Sequence, residues 1–127
     1  MEKKIILVAL LLGVIAIVLG AFGAHALKKT LSAAQLVSFE TGVKYQMYHA
    51  LFLVFLASTS FFNTNEKTIA FYLVIVGVLF FSGSIYLLTT ASMTGIKTKL
   101  LGPITPIGGM LLIGAWGYLI LRLLTKK

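Results

Sequence analysis

Most of the side chains that could do chemistry in this 127-residue chain fall in one short stretch: Glu40, Thr41, Lys44, Tyr45, Gln46, Tyr48 and His49. On a helix, residues three and four apart share a face. Glu40, Lys44 and Tyr48 then line one edge, with Thr41, Tyr45 and His49 beside them. Glu40 precedes Lys44 by four positions, the order that favours an ion pair on a helix. His25 closes the preceding apolar segment, and one short connection brings it to the same level. Histidine titrates near neutral pH. Ionisable groups at membrane depth are costly and as a rule have a partner or a role. The cluster is therefore a candidate site for a small ligand, a lipid headgroup or a proton. The competing reading is an interfacial Glu40–Lys44 pair, with the tyrosines and histidines bonding backbone and anchoring at headgroups. Ser82, Ser84 and Tyr86, further along, are candidates to meet the cluster.

Other chemistries lack their residues. There is no Cys, which removes disulfides, thiolate metal sites and cysteine nucleophiles. There is no Asp and no Gly-x-Ser-x-Gly elbow, so a Ser-His-acid hydrolase has no basis. Two His and one Glu could form a metal site in principle, but their spacing matches no tight ligand motif. Gly108-Gly109 is not followed by the Lys-Ser or Lys-Thr of a phosphate loop. No catalytic, cofactor-binding or metal-ligating set is assigned, and no enzymatic activity is expected. The formal net charge is +8, but its basic residues stand in small groups at the ends of apolar segments: Lys3-Lys4, Lys28-Lys29, Lys97 with Lys99, and Arg122 with Lys126-Lys127. That placement suits headgroups and topology signals. A nucleic-acid surface needs a denser basic stripe or a recognisable module.

The elements that must hold the cluster follow from the charges. Hydrophobic residues make up 59% of the chain and charged ones 11%, against about a quarter charged in soluble domains. Between Lys4 and Lys28 lie 23 uncharged residues, between Lys44 and Glu66 21, between Lys67 and Lys97 29, and between Lys99 and Arg122 22. Each run can span a hydrocarbon core, which takes about 20 helical residues, and lipid leaves the backbone no partner but itself. The expectation is a single all-α domain, an integral membrane four-helix bundle with helices over about 2–27, 45–62, 68–91 and 103–124. Ser32 and Gln35 have the spacing of a capping box. Leu36, Phe39 and Val43 give the following segment an apolar stripe, so a short interfacial amphipathic helix is expected over about 33–44, bending at Gly42. Gly95 reads as a stop signal.

Small residues mark where helices would approach closely. Gly13, Gly20 and Gly23 form part of one stripe on the first helix. Gly77 and Ser84 share a face of the third, and Gly108 and Gly109 open the fourth. The first segment could also be read as a secretory signal ending near Ala24-His25-Ala26. Its small-residue stripe favours a retained helix. Four crossings place both termini on one side with Lys3, Lys4, Lys67, Arg122, Lys126 and Lys127. The slight excess of basic residues there assigns both termini to the cytoplasm.

Three stretches carry a resemblance: Gly20-Ala21-Phe22-Gly23-Ala24-His25-Ala26-Leu27, Thr41-Gly42-Val43-Lys44-Tyr45-Gln46-Met47-Tyr48-His49-Ala50, and Gly102-Pro103-Ile104-Thr105-Pro106-Ile107-Gly108-Gly109. Together with Phe81-Ser82-Gly83-Ser84 they resemble the small bacterial inner-membrane family of YgdD and YwdK, a family of unknown function related to a small animal transmembrane protein. The resemblance covers essentially the whole chain. It implies a four-helix protein of the inner membrane and supplies no activity, substrate or catalytic residue.

Two functional classes follow. The leading expectation is a non-enzymatic membrane protein acting in membrane organisation, in assembly, or as a small partner of a larger complex. Its partners would be membrane lipids and a second copy of itself or another membrane protein, with no nucleic acid. The alternative is a small-molecule or ion transporter using the polar cluster. A transporter should show a hydrated cavity leading inward from the cluster. A packing protein should show a dry core with the cluster satisfied locally.

Overall fold

The structure, a computed structural model, describes residues 1–95, 99 and 101–126. Among the described residues every regular element is helical, with no strand. α1 runs over Glu2–His25 and is followed by a 3-10 turn, Leu27–Lys29. α2 covers Ala33–Ser58. α3, Thr64–Val78, continues through a π-helical segment, Leu79–Gly83, into α4, Ser84–Thr89. A single turn, α5 (Ala91–Thr94), ends at Gly95, whose φ of 74° is the left-handed conformation that glycine adopts without strain. α6 is Ile104–Thr125.

Three boundaries differ from the sequence expectation by four residues or more: the start of α2, its end at Ser58 where about 62 was expected, and the start of α3. The interfacial helix over 33–44 and the second helix over 45–62 are one element, α2. Gly42 does not interrupt it. That glycine is buried against the α3–α4 rod, where a β-carbon would meet the Tyr86 ring at 2.8 Å. The apolar stripe of Leu36, Phe39 and Val43 faces α1 instead of a membrane surface, packed with Leu27 and Leu31. The third helix starts at Thr64, four residues earlier than expected, because Asn63 and Glu66 form a reciprocal capping box. Ser32 and Gln35 form the expected one.

α1 and α2 pack antiparallel. A β-carbon at Gly23 would meet the Phe39 ring at 3.1 Å, one at Gly20 would meet Val43 at 3.5 Å, and one at Gly13 would meet Ala50 at 4.0 Å. The α3–α4 rod and α6 pack antiparallel in the same way, and more tightly. A β-carbon at Gly77 would meet Leu112 at 2.7 Å, and one at Gly108 would run into the backbone of Phe80 and Phe81. Gly109 faces the Phe81 ring at 3.5 Å. The main core lies among Ile5, Ala9, Leu53, Leu56, Val74 and Ala115, drawn from α1, α2, α3 and α6.

The outside is as apolar as the inside. Leu10, Leu11, Ile17 and Val18 of α1, Leu79 of the π segment, and Met110 and Ile113 of α6 all stand exposed. An apolar surface of that extent on a soluble monomer would be an interaction patch. Here it is the surface that lipid covers. α1 with its 3-10 turn (Glu2–Lys29), the α3–α4 rod (Thr64–Thr89) and α6 are long and apolar enough to cross a membrane.

The starts of α1 and α3 and the end of α6 meet at one end of the molecule. Lys67 Nζ is 3.2 Å from Glu2 and donates to the Ala57 carbonyl at 3.1 Å. Arg122 Nε donates to Glu66 at 2.7 Å, and Lys126 pairs with the other oxygen of Glu66. Lys4 reaches the Tyr72 hydroxyl at 3.0 Å.

Candidate functional site

The expected cluster divides along the length of α2. Glu40, Lys44 and Tyr48 form an outward edge, all exposed. Glu40 and Lys44 make no ion pair, although their spacing suits one; the ion pairs among the described residues are all at the opposite end. Thr41 is half-buried and turns its hydroxyl back to the Val37 carbonyl at 3.0 Å. Tyr45 is exposed and stacks between Tyr48 and Phe81, with ring centroids 5.6 and 5.1 Å away. His25 ends α1 with its side chain exposed and without a hydrogen bond. The structure does not bring it to the cluster.

Gln46 and His49 turn inward and are buried. A helix carries them there because they lie three apart, on the face that holds Gly42 and Leu53. Gln46 joins three helices. Its Nε2 donates to the Leu12 carbonyl of α1 at 2.8 Å, and its Oε1 accepts from the Tyr86 hydroxyl of α4 at 2.7 Å. One turn earlier, the Gly42 carbonyl accepts from the Ser82 hydroxyl at 2.7 Å. His49 reaches α6. Its Nδ1 lies 2.7 Å from the Tyr45 carbonyl, and its Nε2 accepts from the indole N–H of Trp116 at 3.1 Å. These two bonds are met together by the neutral ring with its hydrogen on Nδ1. A ring carrying both hydrogens would face the indole donor with a second donor.

The π segment completes the band. A π turn frees carbonyls from the regular ladder, and Ser or Thr side chains re-satisfy them in membrane helices. Ser84 does so here. Its oxygen lies 2.5 Å from the Phe80 carbonyl and 2.5 Å from Thr105 Oγ1 of α6. The hydrogens are used once each if Thr105 donates to Ser84 and Ser84 to Phe80. Separate polar contacts thus tie α1 to α2 at Leu12 and Gln46, α2 to the α3–α4 rod at Tyr86 and Ser82, and the rod to α6 at Ser84 and Thr105, with His49–Trp116 alongside.

A cavity of about 300 Å³ opens beside this band, lined by Tyr45, His49, Phe81, Gly109, Leu112 and Trp116. Apart from the Tyr45 hydroxyl and His49, whose ring nitrogens are both engaged, its wall is aromatic and aliphatic. Among the described residues no group of three His, Cys, Asp or Glu side chains could hold a metal ion.

Sequence reasoning named Ser82, Ser84 and Tyr86 as possible partners. It did not pair His49 with Trp116, which are 67 positions apart and share no local pattern. It also passed over the Glu66 cluster. The Asn63…Glu66 spacing was a readable capping signal, but the convergence of Arg122 and Lys126 on the same carboxylate was not.

The comparisons with known proteins agree with this picture of a small membrane protein. A family model described as "Protein of unknown function (DUF423)" matches residues 19–109. The UPF0382 membrane protein SH2409 of Staphylococcus haemolyticus is 39% identical over 119 residues, covering 94% of this chain and 93% of the relative. The UPF0382 membrane protein YwdK of Bacillus subtilis is 36% identical over 116 residues, with 90% of each chain covered. The UPF0382 inner membrane protein YgdD of Escherichia coli is 31% identical over 130 residues, with 99% of this chain and 93% of the relative covered. No solved structure matches. Since the family model runs from the end of α1 through α2 and the α3–α4 rod to the opening of α6, and relatives above 30% identity extend over nearly the whole length, the chain is a membrane protein belonging to the DUF423 family.

Proposed function

We propose that the chain is a non-enzymatic plasma-membrane protein that crosses the bilayer four times as an up-and-down helix bundle. In this reading both termini are cytoplasmic, and the protein serves membrane organisation or assembly as a small partner of itself or of a larger complex. The observation that carries the reading is that, among the described residues, no buried side-chain nitrogen or oxygen lacks a hydrogen-bond partner. A relay or substrate site keeps polar groups waiting for a ligand. Here Gln46 and His49 spend theirs on Leu12, Tyr45, Tyr86 and Trp116.

The fourth crossing is α2. Its 26 residues extend about 39 Å at 1.5 Å per residue, more than the roughly 30 Å of a hydrocarbon core. Its hydropathy is held down by Lys44, Gln46 and His49. Two of these are buried among other helices, while Leu51 and Phe55 stand outward. The meeting of Glu2, Glu66, Arg122 and Lys126 at one end of the molecule also supports an even number of crossings. The inner-membrane wording attached to the Escherichia coli relative supports the same compartment.

Native co-purification in mild detergent tests the role. A stoichiometric partner, either a second copy or another membrane protein, is the expected result. Repeated isolation as a lone monomer would overturn it. A proton leak in proteoliposomes, abolished by His49→Phe in a folded variant, would instead favour transport through the polar band.

A further inference from the structure

A second groove lies away from the polar band, between α2 and α6 at the end where the termini meet. Phe52, Phe55, Phe61, Trp116, Ile120 and Leu123 line it around about 240 Å³. Along α6 it runs from Trp116 to Leu123, roughly 10 Å at the helical rise. It opens sideways: Phe55, Phe61, Trp116 and Ile120 are all exposed. Its walls offer an occupant almost no polar contact.

The mouth is different. Lys126 Nζ donates to the Phe61 carbonyl at 2.8 Å and stands 5.4 Å from the centre of the Phe62 ring. Arg122 spends only its Nε on Glu66, so both of its NH₂ groups are without a partner among the described residues. Among the described residues, Lys3, Lys4, Lys67, Arg122 and Lys126 share this end with two carboxylates, Glu2 and Glu66. Among the described residues, an apolar slot thus ends in two cations that share one carboxylate, Glu66, a net positive charge at the level where headgroups lie.

We propose that this groove is a binding site for an anionic phospholipid, with an acyl chain along Trp116 and Ile120 and the headgroup phosphate against Lys126 and the free face of Arg122. A zwitterionic lipid could fill the slot but would gain little at its mouth. A second copy in the same orientation would bring its own cations to the same level, where they repel. This assignment goes beyond the packing role, and it stands or falls without it.

Trp116 is the only tryptophan, so it reports the groove directly. The full chain is reconstituted in phosphatidylcholine vesicles and titrated with chain-brominated phosphatidylglycerol or chain-brominated phosphatidylcholine. Basic residues at a membrane surface favour anionic lipid by about 1 kcal/mol each, or roughly fivefold in binding. Quenching of Trp116 by the brominated phosphatidylglycerol should therefore half-saturate at a mole fraction at least roughly fivefold lower. Lys126→Gln should narrow the gap between the two curves, leaving the part that Arg122 contributes. Ile120→Phe, which fills the slot and touches no charge, should weaken quenching by both lipids. Circular dichroism identifies any variant that has unfolded. Superimposed curves for the wild-type chain would overturn the proposal. So would a preference for the anionic lipid that is undiminished in folded Lys126→Gln, or quenching by both lipids that is unchanged in folded Ile120→Phe.

Discussion

Gln46 is the residue on which three helices depend. Its amide holds α1 through the Leu12 carbonyl and α4 through Tyr86, and no apolar side chain of the same size could do both. Hydrogen bonds between membrane helices are individually modest, averaging about 0.6 kcal/mol in double-mutant cycles. Gln46→Leu and Tyr86→Phe should therefore each destabilise the protein, and the double variant should cost less than their sum by about 0.6 kcal/mol. Unfolding in mixed micelles titrated with sodium dodecyl sulfate measures all four corners of the cycle. Strict additivity would mean that the bond does not contribute. The sequence placed Gln46 in a polar cluster with Glu40 and Lys44. It could not say that Gln46 and His49 turn inward while Glu40, Lys44 and Tyr48 turn out, because a run of polar residues on one half of a helix has two edges. Which edge is buried depends on the neighbours.

At the scale of the element, glycine content was legible and glycine purpose was not. α6 carries Gly108, Gly109, Gly114 and Gly117 in one helix. At Gly108 the backbone of the π segment leaves no room for a β-carbon, whereas nothing lies within 4 Å of where one would sit at Gly114 or Gly117. Gly108→Ala should therefore overpack the α6–π contact and cost about 1–3 kcal/mol. Gly114→Ala should leave stability unchanged or raise it by up to about 1 kcal/mol, through helix propensity alone. Thermal unfolding of the two variants in the same detergent checks the contrast, and equal losses would refute it. The π segment itself had no signature in Leu79–Gly83. It exists where Phe80 and Phe81 meet Gly108 and where Ser84 can satisfy a freed carbonyl. Capping was local and readable: Ser32 with Gln35 was seen, and Asn63 with Glu66 could have been.

For the whole molecule, the charge gaps announced a membrane protein, and the family relatives carry that description. The ends of the helices sort into two levels. One holds Glu2, Thr64 and Thr125; at the other, Leu27 and Leu31 pack with Tyr86 of α4, and four crossings would put Thr30 and Lys99 there. With no native Cys, single cysteines can be introduced without background. In intact and permeabilised spheroplasts, cysteines at Thr64 and Thr125 should label alike with an impermeant maleimide, and those at Thr30 and Lys99 should show the opposite pattern. A mixed pattern for Thr64 and Thr125 would overturn the even number of crossings. Protection of the first pair in intact cells would support cytoplasmic termini.

What the sequence alone determined is the solvent. Uncharged runs about as long as a bilayer core is thick can be satisfied only as helices in lipid, because each backbone amide must bond within its own segment. That argument needs no knowledge of neighbours. Only the tertiary structure decided what the polar minority does. It merged an expected interfacial segment into α2, since Gly42, Gln46 and His49 find partners on other helices that pull it into the packing. It left Glu40 and Lys44 unpaired and gathered Glu66, Arg122 and Lys126 instead. Helix formation is set by contacts a few residues apart. The partner of a buried polar group is set by which helix faces it, and residues such as His49 and Trp116 meet only once the chain has folded.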